Sequence, residues 1–193
     1  PNMSVDLLHS GTVAAAREAS LYGLPSIASS IAKHDPSVDP TMAIRLTSDL
    51  AEAVLKYALA GGKEYRRPRR SDASIDFDDE DSTLGRMFGQ GEIYLNLNIP
   101  ENCTGRMQAS TVGARWYPGA CNIHVDGESK SLRVGSLAIE DDDIEGAASD
   151  SLSKGHASLT CLASWPQLHP LNVGDRALNQ ANTPGSDGLP RWI

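Results

Sequence analysis

A helix punctuated at both ends and followed at once by a short apolar strand opens this chain, and it constrains the fold more than any other feature. Residues 12–23 (TVAAAREASLYG) are rich in Ala, Arg, Glu and Leu, which lose little freedom in a helix. Ser10 and Thr12 offer N-cap oxygens, and Gly23 stands where a C′ glycine ends a helix. LPSIASS follows, from Leu24 to Ser30. Short, β-compatible and placed directly after a helix, it is expected to be a parallel strand packed on both faces.

A second helix is equally well marked. Asp39-Pro40 pairs a capping side chain with a proline at the first helical position. From there Ala43, Leu46, Leu50, Val54 and Ala58 recur at three- and four-residue spacing, up to Gly61-Gly62. Glu52 and Lys56 form an i,i+4 pair on its wet face. Residues 63–91 break the pattern with a basic run, KEYRRPRR (Lys63 to Arg70), and an acidic one, DFDDED (Asp76 to Asp81). Opposite charge blocks with few apolar residues predict a mobile, solvated insertion. A nucleic-acid or lipid patch is the sharper reading of the basic run, but the acidic block would compete for the same arginines.

Order returns at EIYLNLNIP (Glu92 to Pro100), where Ile93, Leu95, Leu97 and Ile99 alternate with polar partners and Pro100 is the stop. Residues 107–116 and 121–125 read as further strands, with Asp126-Gly127 as a hairpin turn and SLRVGSLAI as its returning arm. IEDDDIEG (Ile139 to Gly146) is expected to be an exposed acidic loop, and HASLTCLAS (His156 to Ser164) a last strand. The tail from Asn172 is polar, punctuated by Pro and Gly, and expected to be poorly ordered. The sum is an α/β fold of which the chain holds the C-terminal portion, with an antiparallel appendage.

Composition narrows the function. The length of 193 residues suits one domain or most of one, and 40% hydrophobic with 22% charged residues is ordinary for a packed globule. A net charge of −8 argues against nonspecific binding to nucleic acid or anionic membranes, while a small anionic substrate is still compatible with a local positive pocket. Apolar runs of about 18 residues, the length of a membrane span, do not occur. Cys103, Cys121 and Cys161 are widely spaced and fit reduced thiols of an intracellular protein better than a disulfide framework or a CxxC zinc site. The first residue is Pro1, so the true N-terminus is expected to lie elsewhere.

Ser10-Gly11-Thr12 carries the chemistry. First-turn N–H groups have no intrahelical partner and sit at the positive end of the helix dipole. Gly11 lets a phosphate approach the backbone, and Ser10 and Thr12 add hydroxyl donors. Alone, such a triplet is more often a simple cap.

The longer string, PNMSVDLLHSGTVAAAREASLYGLPSIASS, closely resembles the SurE survival-protein family of nucleotidases. Asn2, Ser10-Gly11-Thr12, Val13 to Ala16, Glu18 and Gly23-Leu24-Pro25-Ser26-Ile27-Ala28 follow that family's Asn loop, SGTVAAA helix and strand entry in order. Tyr94 to Pro100 is similar to its LN-[VI]-N-[VI]-P strand, and Gly155 to Thr160 to its GY-[VI]-S-[VI]-TPL strand. His156 stands where the family has Tyr, and Cys161 where it has Pro.

The resemblance implies a Rossmann-type three-layer domain over residues 1–172, its first strands missing, with a β-hairpin appendage, an insertion at 63–91 and a polar tail at 173–193. It implies a cytoplasmic, metal-dependent phosphatase that hydrolyses nucleoside 5′- and 3′-monophosphates, or other phosphate monoesters, and forms a homo-oligomer, with neither nucleic acid nor membrane as partner. Asn2, Ser10, Gly11 and Thr12 correspond to the phosphate side of the site. The divalent metal, Mg²⁺ or Mn²⁺, is held in that family by an NDDG aspartate pair, a Ser and the Asn of an SGxN motif, which would precede Pro1. The 193 residues alone are therefore expected to be inactive, and a noncatalytic phosphate-binding or interaction protein is the alternative.

Other candidates rank lower. His9 beside the loop suits the surface, and Asp6 is a lone carboxylate. Cys121 and His124 lack a second ligand pair, and His34, His156 and His169 are scattered. Asp141-Asp142-Asp143 reads as a solvated loop before a cation site. In Arg115-Trp116-Tyr117, packing is favoured over stacking of a nucleobase on Trp116.

Overall fold

The computed structural model describes residues 1–32, 37–60, 80–135 and 138–193. Its centre is a mixed sheet built on strand β2 (Ile93–Ile99), flanked by β1 (Ile27–Ile31) on one side and β8 (Ala157–Ala163) on the other. β1 runs parallel to β2, β8 antiparallel to it, and the short β3 (Met107–Ala109) lies parallel to β8 at the far edge. The helix–strand unit and the strands expected at 92–100 and 156–164 are therefore placed as the sequence implies, whereas the stretch 107–116 is strand only at 107–109 and 115–116.

Alternation along β2 usually signals one wet face, yet all seven residues are buried. Ile93, Leu95, Leu97 and Ile99 join Leu159 and Cys161 beneath helices α3 (Thr41–Ala60), α4 (Glu80–Gly89) and α6 (Asp175–Ala181), which contribute Leu46, Leu50, Val54, Leu84, Met87, Phe88, Ala177 and Ala181. The opposite face is smaller. There Val13 and Ala16 of α2 (Gly11–Leu21) pack with Ala28 and Tyr94. Register places Ser30, Asn98 and Ser158 side by side on it, and Asn96 beside Thr160.

Local chemistry fixes the helix ends. Ser10 Oγ accepts from the Val13 amide at 3.1 Å, and Gly23 takes φ +78° as its N–H returns to Ser20 O. Asp39 caps α3 by accepting from both the amide and the hydroxyl of Thr41. Gly91 adopts φ +71° where β2 begins against the end of α2, and a Cβ there would stand 2.4 Å from Ser20 O. Only glycine fits that approach.

Two expectations need correction. The segment 63–91 is not mobile and solvated throughout, because residues 80–89 form α4 and bury Leu84, Met87 and Phe88. The charge runs at 63–70 and 76–79 lie outside the described residues. Nor is the tail loose. Val173, Ala177 and Ala181 recur at four-residue spacing and give α6 one apolar stripe, while Trp192 is 1% exposed and donates its indole N–H to Ala181 O. Asn182 completes the docking, its side-chain oxygen accepting from Cys161 N at 2.7 Å and its NH₂ donating to Cys161 O at 3.1 Å. A handful of spaced apolar residues anchors an otherwise polar segment.

The appendage is a two-stranded ribbon, β5 (Cys121–Asp126) and β6 (Ser129–Val134), exposed on both faces and joined by Gly127 at φ +58°. A second small ribbon pairs β4 (Arg115–Trp116) with β7 (Glu140–Asp141), so the acidic stretch is exposed but partly strand. Helices α1 (Asp6–His9) and α5 (Ala148–Ser153) complete the described elements.

Candidate phosphate site

Helix α2 leads into a strand parallel to β2, so its N-terminus lies at the carboxyl end of β1 and β2. That end of an α/β sheet is where ligands bind. Asn2 is brought to the same end. Its side-chain NH₂ donates to Ser30 Oγ at 2.6 Å, near the end of β1. Its backbone N–H donates to Asn98 Oδ1 at 2.6 Å, and its carbonyl accepts from Asn98 Nδ2 at 3.1 Å and from Asn96 Nδ2 at 2.9 Å. Both main-chain groups of Asn2 are thus bound by asparagines that are 0% and 2% exposed. The remaining Nδ2 hydrogen of Asn2 is left to serve as a donor.

Ser10 shares its hydroxyl oxygen with the helix cap, and its own O–H proton is still available. Gly11 and Thr12 are exposed. A Cβ built on Gly11 would meet nothing within 4 Å, so packing does not require glycine there. The exposed first turn with open space beside Gly11 suits an anion approaching from outside. His9 is exposed, as expected.

Asp6 is not a lone carboxylate. Tyr117 donates its hydroxyl to Asp6 Oδ1 at 2.6 Å, and Arg115 Nη1 approaches Asp6 Oδ2 at 3.3 Å. Arg115 also grips Asp141 through Nε and Nη2, at 2.7 and 2.8 Å. The hydrogen bond to Asp141 raises the guanidinium pKa above its ordinary value, and burial raises that of the Tyr117 hydroxyl, helped by its bond to Asp6. This latch ties the loop after Asn2 to the β4–β7 ribbon. Trp116, its neighbour, is 67% exposed.

The other candidates stay apart. Cys121 and His124 lie three apart on β5 and so point to opposite faces. Asp142 and Asp143 are exposed, His169 stacks on Trp165, and His34 lies outside the described residues. Asn96, Asn98 and Ser30 are the residues that motif reading missed. The signal was present, since two asparagines inside a central strand are a poor β choice that demands a reason.

These residues do not make a metal site by themselves. Among the described residues no three His, Cys, Asp or Glu side chains are grouped to hold an ion, and the one nearby carboxylate, Asp6, is engaged by Arg115 and Tyr117. A hard divalent cation requires several oxygen ligands, usually carboxylates among them. Nor, among the described residues, is any helix long and apolar enough to cross a membrane.

Comparison with known proteins supports the architecture. The family model described as Survival protein SurE matches residues 1–118. The 5′-nucleotidase SurE of Sorangium cellulosum is 30% identical over 162 residues, which are 83% of this chain and 52% of that protein. Its counterpart from Geotalea uraniireducens is 28% identical over 83% of this chain and 54% of its own length. The crystal structure of the SurE protein from Aquifex aeolicus superposes with a TM-score of 0.56 at 20% identity, covering 87% of this chain and 57% of that one. The chain thus spans about half the length of the curated relatives it matches. Together with the SGT-headed helix and the Asn-bearing central strand, the family match over residues 1–118 identifies the chain as a member of the SurE survival-protein family.

Proposed function

We propose that this chain forms the phosphate-holding part of a hydrolase that releases phosphate from nucleoside 5′- and 3′-monophosphates. The observation that carries the reading is the convergence of Asn2 with the open first turn of α2 at the carboxyl end of the parallel strands. The Sorangium and Geotalea relatives carry the name 5′-nucleotidase, which supports the substrate class.

In this reading the backbone amides of Gly11 and Thr12, the hydroxyls of Ser10 and Thr12 and the side-chain NH₂ of Asn2 donate to the nonbridging phosphate oxygens. Neutral, fixed donors of this kind stabilise charge that moves onto those oxygens in the transition state. Mg²⁺ or Mn²⁺ is proposed as the divalent cofactor, its ligands drawn from outside the described residues, because those residues do not group to hold it.

The test is phosphate release from 5′- and 3′-nucleotides by the natural protein that contains these residues, with Mg²⁺ or Mn²⁺ and after chelation. Metal-dependent release that Asn2→Ala lowers about a hundredfold or more would support the reading, that being the scale for one lost transition-state donor. Release unaffected by Asn2→Ala and Gly11→Ala would overturn it. Saturable phosphate binding without turnover would instead select the noncatalytic reading.

A further inference from the structure

A phosphate donor is useful only if its direction is fixed, and the unusual feature here is how Asn2 is fixed. Asn98 uses its side-chain amide as a peptide group would be used in a β-bridge, accepting from Asn2 N–H at 2.6 Å and donating to Asn2 O at 3.1 Å. Asn96, two residues earlier on the same face of β2, adds a second donor to Asn2 O at 2.9 Å. Both asparagines sit on a strand buried along its whole length and flanked on each side by another strand. They therefore have little freedom to follow a moving loop.

Burying these amides is costly in itself. Among the described residues, Asn96 Oδ1 has no hydrogen-bond partner, and neither do Ser158 Oγ and Thr160 Oγ1 on the adjacent strand. Apolar side chains would suit this face better for stability alone, since an unpaired buried polar atom costs about 1–3 kcal/mol. A face that keeps amides under that penalty, and spends them on one residue outside the sheet, is built to place that residue.

We propose that Asn98, assisted by Asn96, is the positioning residue that orients Asn2 toward bound phosphate. The proposal rests on the reading of Asn2 as a phosphate donor. It assigns Asn96 and Asn98 a role through Asn2 alone, with no contact to the substrate itself. Ser30 Oγ completes the arrangement by taking one hydrogen of the Asn2 side-chain NH₂, so that only the other is left to point elsewhere.

The test is a double-mutant cycle on inorganic phosphate affinity, measured by calorimetry in the natural protein, with Asn2→Ala, Asn98→Leu and the pair. Asn98→Leu is expected to weaken phosphate binding about tenfold when Asn2 is present and less than about twofold when Asn2 is already Ala, because contacting residues are coupled. Melting temperatures of the four proteins separate this from a general loss of structure. Equal losses in both backgrounds, or a lowered melting temperature with affinity intact, would overturn the proposal. Should Asn98→Leu fail to fold, Asn96→Ala reads the same coupling, expected at about threefold since one bond to Asn2 O survives. No coupling in that variant would equally overturn it. If Asn2→Ala alone leaves phosphate affinity unchanged, the underlying site reading falls as well, whereas a loss in Asn2→Ala without one in Asn98→Leu removes only the role of Asn98.

Discussion

Two asparagines in this fold make the same pair of hydrogen bonds and serve different ends. Asn182 accepts from the amide and donates to the carbonyl of Cys161, at the point where β8 has run beyond its pairing with β3. Asn98 makes the equivalent bonds to Asn2. The first clamp supplies a sheet edge with missing partners and ties α6 to the core. The second holds a residue whose side chain faces the open end of the sheet. The same local geometry is structural where its target is a core residue, and in the proposed reading functional where its target is Asn2. The surroundings make that distinction. Around Asn182 lie Trp192, Ala177 and Ala181, whereas around Asn98 lie other amides and hydroxyls, three of them with an atom that has no partner among the described residues.

Substitutions can pull the two regions apart. The largest effect is expected from Trp192→Ala, about 3–5 kcal/mol of stability as for other buried aromatic truncations. The indole is fully buried, tilted against Phe88 at 5.7 Å, and bonded to Ala181 O. Denaturant unfolding would show it, and a change under 1 kcal/mol would mean the C-terminal segment does not belong to the core. Asn182→Ala should cost about 1–3 kcal/mol, because it strands the amide and carbonyl of Cys161, while phosphate affinity stays the same. A loss of affinity there would erase the contrast between the clamps.

On the polar face the pattern should invert. Gly11→Ala is expected to be neutral or to gain up to ~1 kcal/mol in stability, since alanine favours helices and its Cβ meets nothing. Phosphate binding should nevertheless weaken severalfold as the methyl group fills the approach to the first turn. Calorimetry and a thermal melt on one sample would read both. Thr160→Val, which removes an unpartnered buried hydroxyl, should be stabilising by about 1 kcal/mol.

The smallest effect concerns Glu92, whose burial raises its carboxyl pKa, partly opposed by Arg86 at 3.9 Å. A raised pKa means the folded state favours the protonated form. Its contribution is present below the unfolded carboxyl value and is lost as pH rises through the folded one. Glu92→Gln should therefore gain stability relative to the parent as pH rises above the ordinary carboxylate range, with no gain at the acid end.

Much of this was legible in the residues themselves. The caps at Ser10 and Asp39, the stop at Gly23 and the turn at Asp126-Gly127 are local chemistry, and local chemistry is visible in a sequence. Helix α4 and the C-terminal segment were hidden because their few apolar residues are embedded in charge, and only tertiary packing reveals that Leu84, Phe88 and Trp192 share one core. Asn96 and Asn98 were hidden for a different reason. Alternation on β2 fits equally a wet face and a polar buried one, and the partner that distinguishes them, Asn2, lies over 90 residues away in the chain. The Asp6–Arg115–Tyr117 latch is likewise long-range, Arg115 and Tyr117 standing 109 and 111 positions along the chain from Asp6.

The most direct test of the phosphate site is a titration of the isotope-labelled protein with inorganic phosphate, followed at its backbone and side-chain amide resonances. Saturable shifts are expected at the amides of Gly11 and Thr12 and at the side-chain NH₂ of Asn2, and these shifts should vanish in Gly11→Ala. Shifts absent from all three groups, or confined to surface lysines and arginines, would contradict it.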